Sequence, residues 1–392
     1  MKKTFEDFSL STIVAGIIAV LVGYTSSAVI VFQAASASGA TPSEAGAWLG
    51  VICVAMGVLT IALSYKYKMP IMFAWSTPGA ALLITSVAGF SLPEIIGVFI
   101  FSSTLIFLSG VTGFFEKIMN RIPIGIASAM LAGILLHFAF EIFVSMKTQM
   151  LLSLVMFLTY MIGRRFFPRY NIVIVLCAGI MVAWLQGLLN FGPIDFAILN
   201  PVFVKPEFKL ASIFSIGIPL FIVTMASQNL TGVAVMKAFD YKPNISKLIA
   251  WSGLTNLIIA PFGGYTINLS ALTAAICMGP ESHADEKKRY TAALTVGIIY
   301  VFIGLFSSAV VGIFIAFPKE LIMTIAGLAL LSTINNGIIS AVHHEEDREA
   351  SMVTFFVTAS GVSILGIGSA FWGLVAGCVF SLILKLKTEK KI

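Results

Sequence analysis

The stretch AWSTPGAALL, residues 74–83, lies in the middle of an apolar run that extends from about residue 70 to 88. Ser76, Thr77, Pro78 and Gly79 occupy its centre. Lipid offers no water to an exposed backbone, so a helix breaker at that depth needs partners from within the protein. Thr77 can cap a helix that starts there, its hydroxyl accepting from an orphan backbone N–H. Pro78 then stands at N1, where its missing donor costs nothing. Gly79 to Ala88 allows about ten helical residues, or ~15 Å, against a hydrocarbon core of ~30 Å. Such a helix spans half the membrane. Met69 to Trp75, extended at ~3.3 Å per residue, covers the remainder.

A second stretch repeats this design. Pro261-Phe262-Gly263-Gly264-Tyr265-Thr266 is poor helix material, because proline removes a donor and paired glycines cost backbone entropy. Asn268 or Ser270 can cap a short helix that runs to Met278. Two extended segments can satisfy one another as a short sheet. Two half-helices whose N-termini face one cavity would gather free N–H donors and partial positive charge, an anion site that needs no lysine or arginine. Simple kinks are the plainer reading of either stretch alone. Their occurrence at matching places in the two halves of the chain favours a binding site.

The rest of the chain sets these stretches in a membrane. Of 392 residues, 58% are hydrophobic and 11% charged, with a mean hydropathy of +1.00; a soluble domain carries about 25% charged residues. The long apolar stretches predict an all-α polytopic membrane protein. About fourteen transmembrane segments are expected, near residues 11–33, 45–64, 70–88, 94–113, 123–144, 148–163, 171–189, 210–236, 246–260, 262–278, 290–315, 319–341, 350–366 and 368–386. The first is expected to be a retained span rather than a cleaved signal peptide. No loop is long enough for a separate domain. Cys53, Cys177, Cys277 and Cys378 all fall in apolar spans, far apart and without metal-ligand spacing, as packing residues do.

With the N-terminus placed inside, all but four of the 24 basic residues fall in inner loops. The four exceptions are Lys147, Lys205, Lys209 and Lys319. This bias supports a multi-pass protein with both termini cytoplasmic. It also accounts for a net charge of +6 without a nucleic-acid partner.

Short matches recur about 190 residues apart. Ala132-Gly133-Ile134-Leu135-Leu136 resembles Ala326-Gly327-Leu328-Ala329-Leu330, and Trp75-Ser76-Thr77 resembles Tyr265-Thr266-Ile267. Span 3 thus pairs with span 10, and span 5 with span 12. A unit of seven spans is odd, so its second copy lies inverted, as in secondary transporters.

Other polar residues lie within the spans. Ser227-Gln228-Asn229 in span 8 is open to two readings, interhelical hydrogen bonding or substrate binding. Tyr24-Thr25-Ser26-Ser27 holds the corresponding place in span 1. His137 and Glu141 are four apart on one helical face and are the candidates for proton coupling, although Glu141 near the outer end can also simply reach water. Asn335-Asn336 reads as a helix contact or an inner-end cap. The His343–Glu349 cluster reads as a solvated inner turn. No nucleophile elbow, phosphate cradle, zinc-binding helix or Rossmann glycine pattern is present, so binding and release are expected rather than catalysis, with no cofactor and no metal.

The motifs FAWSTPGAALL (73–83), PLFIVTMASQN (219–229), LTAAIC (272–277), AGLALLSTI (326–334) and GIGSAFWGLVAG (366–377) resemble the benzoate/proton symporter family. That family is in turn similar to the uracil permease type of fold. The resemblance implies fourteen spans in two inverted sevens, with short strands and half-helices in spans 3 and 10. It implies a core domain (1–120 and 210–315) and a gate domain (121–209 and 316–392). The substrate-binding residues it points to are Trp75, Ser76, Thr77, Gln228, Asn229, Tyr265 and Thr266, with Tyr24 and Asn268 added from the reading above. Nucleobase permeases use carboxylates in spans 8 and 10, and those span interiors have none here, which suits an anionic substrate and leaves the proton-coupling residue open. The resemblance implies proton-coupled uptake of benzoate or a similar aromatic carboxylate by alternating access in the bacterial inner membrane. Sodium stays open as the coupling ion. A homodimer through the gate domain follows by analogy. A carrier for another small organic anion or a nucleobase, or an anion channel, is the alternative.

Overall fold

The computed structural model describes residues 6–113, 123–167, 171–190, 197–280, 282–309, 316–343, 345–362, 364 and 369–388. Lys2, Lys3, Lys117, Arg121, Arg169, Lys390 and Lys391 of the inner loops lie outside the described residues. So do His344 and the Gly366-Ile367-Gly368 start of the last motif.

The protein is a mostly helical membrane protein. Its elements are α1 (Leu10–Ala37), α2 (Pro42–Tyr67), β1 (Phe73–Trp75), α3 (Thr77–Ser86), α4 (Leu92–Val111), α5 (Ile124–Thr148), α6 (Met150–Phe166) and α7 (Asn171–Leu185). There follow α8 (residues 210–238), α9 (Ile245–Ile259), β2 (Ile267–Leu269), α10 (Leu272–Met278), α11 (Tyr290–Leu305), α12 (Lys319–His343), α13 (Arg348–Ala359) and α14 (Ser369–Thr388). Among the described residues, seven helices are long and apolar enough to cross a membrane. Their ends carry expected signals. Ser9 and Thr12 form a capping box at α1, and Thr41 and Glu44 form one at α2 with Pro42 in the first turn.

The interrupted stretches do pair. β1 and β2 run antiparallel, with Phe73 opposite Leu269, Ala74 opposite Asn268 and Trp75 opposite Ile267. The pairing continues outward through Ser76 N–H to Thr266 O and Ser270 N–H to Met72 O, both 2.9 Å. A two-stranded sheet still has two open edges, and inside a membrane each must be closed by protein. Neighbouring helices supply the partners. Thr60 of α2 accepts from Phe73 N–H at 3.2 Å, and Ser64 exchanges bonds with the Ile71 backbone at 2.9 and 3.1 Å. On the other edge, Asn256 of α9 accepts from Ile267 N–H at 2.8 Å and donates to Ile267 O at 3.0 Å. Ser252 donates to the same carbonyl at 2.6 Å. Asn229 of α8 accepts from Leu269 N–H at 3.0 Å.

This sheet moves the helix start by one residue. Ser76, not Thr77, is the N-cap of α3; its hydroxyl accepts from Gly79 N–H at 3.1 Å. Strand pairing reaches Ser76 and holds it extended, so the cap falls there. Pro78 lies at N2 rather than N1, where its missing donor is equally harmless. The second half-helix also departs from expectation. Asn268 lies within β2, Ser270 bonds the Thr273 hydroxyl at 2.6 Å, and Ala271 precedes α10 with no side-chain cap.

Around the sheet, α2 packs along α11, α4 along α9, and α1 against α3, α10 and α11. A second set packs α5 along α12 and α13, α13 on α14 and α6 on α7. Small residues allow the closest of these approaches. A Cβ on Gly57 would fall 2.5 Å from Gly297 O, and one on Gly297 would fall 2.7 Å from Gly57 O, as expected where helices meet backbone to backbone in lipid. The extended segment 197–209 joins the two sets. It is tied down by Leu199 N–H to Leu305 O, Val204 N–H to Pro261 O and Glu207 N–H to Pro93 O, and by a Lys209–Glu94 ion pair.

Replacing Asn256 with Ala should destabilise the protein by about 1–3 kcal/mol, since Ile267 N–H would be buried without an acceptor. Ser252→Ala should cost less, because Ile267 O keeps its bond from Asn256. Thermal unfolding of the two purified variants checks the order; equal melting temperatures would contradict the edge-closing role.

Candidate functional site

A cavity of about 1020 Å³ lies against the broken segments. Ala74, Trp75, Thr77 and Pro78 line it from β1 and the start of α3. Ser270 to Thr273 line it at the start of α10, with Gln228 of α8 and Tyr300 of α11 completing the inner end. The wall then continues along α5, α6, α7 and α12 to a mouth near Arg164, Pro280 and Ser340.

The cap shift has a consequence here. Ser76 is fully buried and committed to structure. It accepts from Gly79 N–H and also from the Thr224 hydroxyl, at 3.3 Å. Thr224 in turn lies 3.1 Å from the Thr266 hydroxyl. Three hydroxyls thus tie α3, α8 and the approach to β2 together behind the cavity wall. Thr77 is half-buried, lines the cavity and makes no side-chain hydrogen bond among the described residues. Its hydroxyl stands free at the N-terminal end of a ten-residue helix, where the macrodipole favours negative charge.

Span 8 differs from a regular helix. Residues Thr224–Asn229 form a π-helical turn, which widens the helix by one residue and redirects its side chains. Asn229 turns into the protein, fully buried, where it holds Leu269 N–H. Gln228 stays half-buried and lines the cavity, with its amide free of hydrogen bonds among the described residues. The two adjacent amides therefore do different jobs. One closes a sheet edge, and the other presents donors and an acceptor to the cavity.

Trp75 is 3% exposed. Its Nε1 donates to Ser27 Oγ at 2.8 Å. Its ring meets Tyr24 edge-on at 5.5 Å and Tyr300 at 6.3 Å. Trp75 and Tyr300 thus give the cavity an aromatic wall backed by Tyr24, which does not itself line it. Tyr265 is fully buried and packs on Phe99, 6.2 Å between rings, away from the cavity. Thr266 and Asn268 are also fully buried and lie behind the wall. Of the nine substrate-binding candidates, Trp75, Thr77 and Gln228 come together at the cavity; the other six support it. His137 and Glu141 do pair, at 3.6 Å, but on the outer face of α5 and not in the cavity wall. Among the described residues lining the cavity, Arg164 is the single charged side chain.

Sequence reading missed Thr224, Tyr300, Thr273 and Asn336 as site-forming residues. Thr224 lies within the PLFIVTMASQN motif that holds Gln228, but a π turn leaves no signature in residue spacing. Tyr300 sits alone in an apolar run, where only the fold brings it to Trp75.

Comparison with known proteins gives a consistent result. A family model described as "Benzoate membrane transport protein" matches residues 6–383. The chain is 45% identical to inner membrane protein YdcO of Escherichia coli over 97% of both chains. It is 38% identical to a benzoate membrane transport protein of Acinetobacter baylyi over 99% of both. In fold it is similar to the transmembrane domain of the cyanobacterial bicarbonate transporter BicA, with a TM-score of 0.58 at 14% identity, covering 94% of this chain and 97% of that one. It is also similar to the murine Slc26a9 anion transporter in its inward-facing state, with a TM-score of 0.63 at 12% identity, covering 97% of this chain and 69% of that one.

The division between Ser76 and Thr77 is open to test. Ser76→Ala should lower stability by about 1 kcal/mol through loss of the cap, whereas Thr77→Val should leave the melting temperature unchanged. Thermal unfolding in detergent checks this; the reverse order would place the cap at Thr77.

Proposed function

We propose, from the premise that this chain belongs to the benzoate membrane transport family, that it takes up benzoate or a similar aromatic carboxylate together with a proton. The chain is a membrane transporter and not an enzyme. The observation that carries the substrate reading is the chemistry of the cavity wall. It combines an aromatic face, free neutral donors at a helix N-terminus and one cation, with no carboxylate among the described lining residues.

The carboxylate binds at the start of α3, to the Thr77 hydroxyl and the Gln228 amide, where helix polarity favours an anion. The ring packs against Trp75 and Tyr300, edge or offset contacts that add about 0.5–1.5 kcal/mol beyond burial. Ser76, Thr224, Thr266, Asn229 and Asn268 hold the two half-helices in register; Tyr24 and Tyr265 back them. His137 and Glu141 remain the candidate pair for proton coupling, acting from outside the cavity wall.

Transport proceeds by alternating access, with a core of residues 1–120 and 210–315 moving against a gate of 121–209 and 316–392. Fourteen spans in two inverted sevens are supported by the packing. The α2–α11 and α4–α9 contacts exchange under a seven-span shift, and the paired strands occupy corresponding places. With both termini cytoplasmic in the bacterial inner membrane, the cavity mouth at Arg164 faces the cytoplasm, an inward-open arrangement. A second copy can pack through the gate, leaving lipid around the core.

The test is uptake of labelled benzoate into proteoliposomes with and without an inward proton gradient. Saturable uptake that rises with the gradient is expected, and uptake indifferent to it would contradict proton symport. Competition by uracil or bicarbonate but not by toluate would contradict the aromatic carboxylate. Thr77→Val should raise the apparent KM for benzoate about ten- to hundredfold, the loss of one hydrogen bond to a charged group, and an unchanged KM would remove Thr77 from the site.

A further inference from the structure

The cavity has a second end, and its wall there is built differently. Tyr160 and Arg164 lie four apart on α6, and so on one face of it. Asn171, Ile172 and Val173 begin α7, and all five residues line the cavity. Asn171 is 3% exposed, and its Nδ2 donates to Tyr160 O at 3.1 Å. It packs directly on Gly163, where any Cβ would collide with the Asn171 amide. The α6–α7 corner is therefore locked by a buried amide and a close glycine contact. Arg164 stands on that corner, exposed.

We propose that Arg164 forms a second anion station at the cavity mouth, where the substrate's carboxylate is held between the central site and the cytoplasm. The inference rests on the transport reading above. Arg164 makes no ion pair among the described residues, and no described carboxylate lines the cavity to neutralise it. A positive charge at the mouth of a cleft with low-dielectric walls concentrates anions locally and speeds their capture. The guanidinium fork matches a carboxylate with two parallel bonds, which an ammonium cannot do. The first turn of α7 adds the positive end of a fifteen-residue helix beside the same corner. The central site, by contrast, relies on neutral donors. The two stations would therefore respond differently to salt. The exposed cation is screened by ions, and the half-buried, neutral hydroxyl and amide much less.

The experiment compares wild type, Arg164→Gln and Arg164→Lys as full chains in proteoliposomes, with labelled benzoate exchange followed at low and high ionic strength. Arg164→Gln should raise KM about three- to tenfold at low salt, flatten its salt dependence and leave the maximal rate within about twofold, as expected for loss of electrostatic capture. Arg164→Lys should keep the salt dependence while recovering only part of the KM. If Arg164→Gln shows the KM and salt response of wild type, the mouth station is wrong. A fall in maximal rate with KM and salt response intact, in both variants, would also overturn it, since that is the pattern of a structural residue. Failure of wild type itself to exchange benzoate would refute the substrate reading, a result distinct from either of these.

Discussion

Every backbone N–H and C=O that lies inside a membrane must find its partner in the protein, and two stretches of this chain give up the helix that would have supplied them. The rest of the core is arranged around that deficit. β1 and β2 answer each other across the middle, and Thr60, Ser64, Asn229, Ser252 and Asn256 reach in from three helices to close the edges. Each of these polar side chains lies in an otherwise apolar helix, at a place where an unpaired partner would cost more than the side chain does. The return on breaking two helices is a pair of helix starts inside the membrane, beside one cavity.

That cavity collects positive potential without burying a full charge. A lysine or arginine near the bilayer centre is costly, and it would hold an anion too firmly for release. A helix start, a free hydroxyl and an amide give partial charges that need no counter-ion. The one formal charge in the described wall stands at the mouth, in contact with solvent, where it costs little. The aromatic wall of Trp75 and Tyr300, backed by Tyr24, adds a surface suited to a ring, with the Trp75 N–H already bonded to Ser27 so that it presents no unmet polar group.

The broken stretches were legible because proline, paired glycines and hydroxyls are conspicuous in apolar sequence, and their physical consequence at membrane depth has few solutions. The sheet between them followed from the same argument. The register of that sheet was not legible, and it decides the cap. Pairing carried one residue further than expected, so Ser76 rather than Thr77 ends the strand. The fate of Ser227-Gln228-Asn229 was half legible. Asn229 takes a structural place at the sheet edge and Gln228 faces the cavity, and a π turn that no spacing reveals separates them. His137 and Glu141 were correctly placed on one face, but residue spacing does not say which way that face looks. Residues brought in from distant spans, Tyr300 and Arg164 among them, carried no local signal at all.

The central claim is that substrate binds where the two broken segments meet. The most direct measurement is a structure of the full chain with 4-iodobenzoate, the iodine located by its anomalous signal. The claim predicts a single strong peak in the cavity beside Trp75 and Tyr300, with the carboxylate within hydrogen-bond distance of Thr77 and Gln228. A peak that lies outside this cavity, or beside it with the carboxylate turned away from the start of α3, would contradict it.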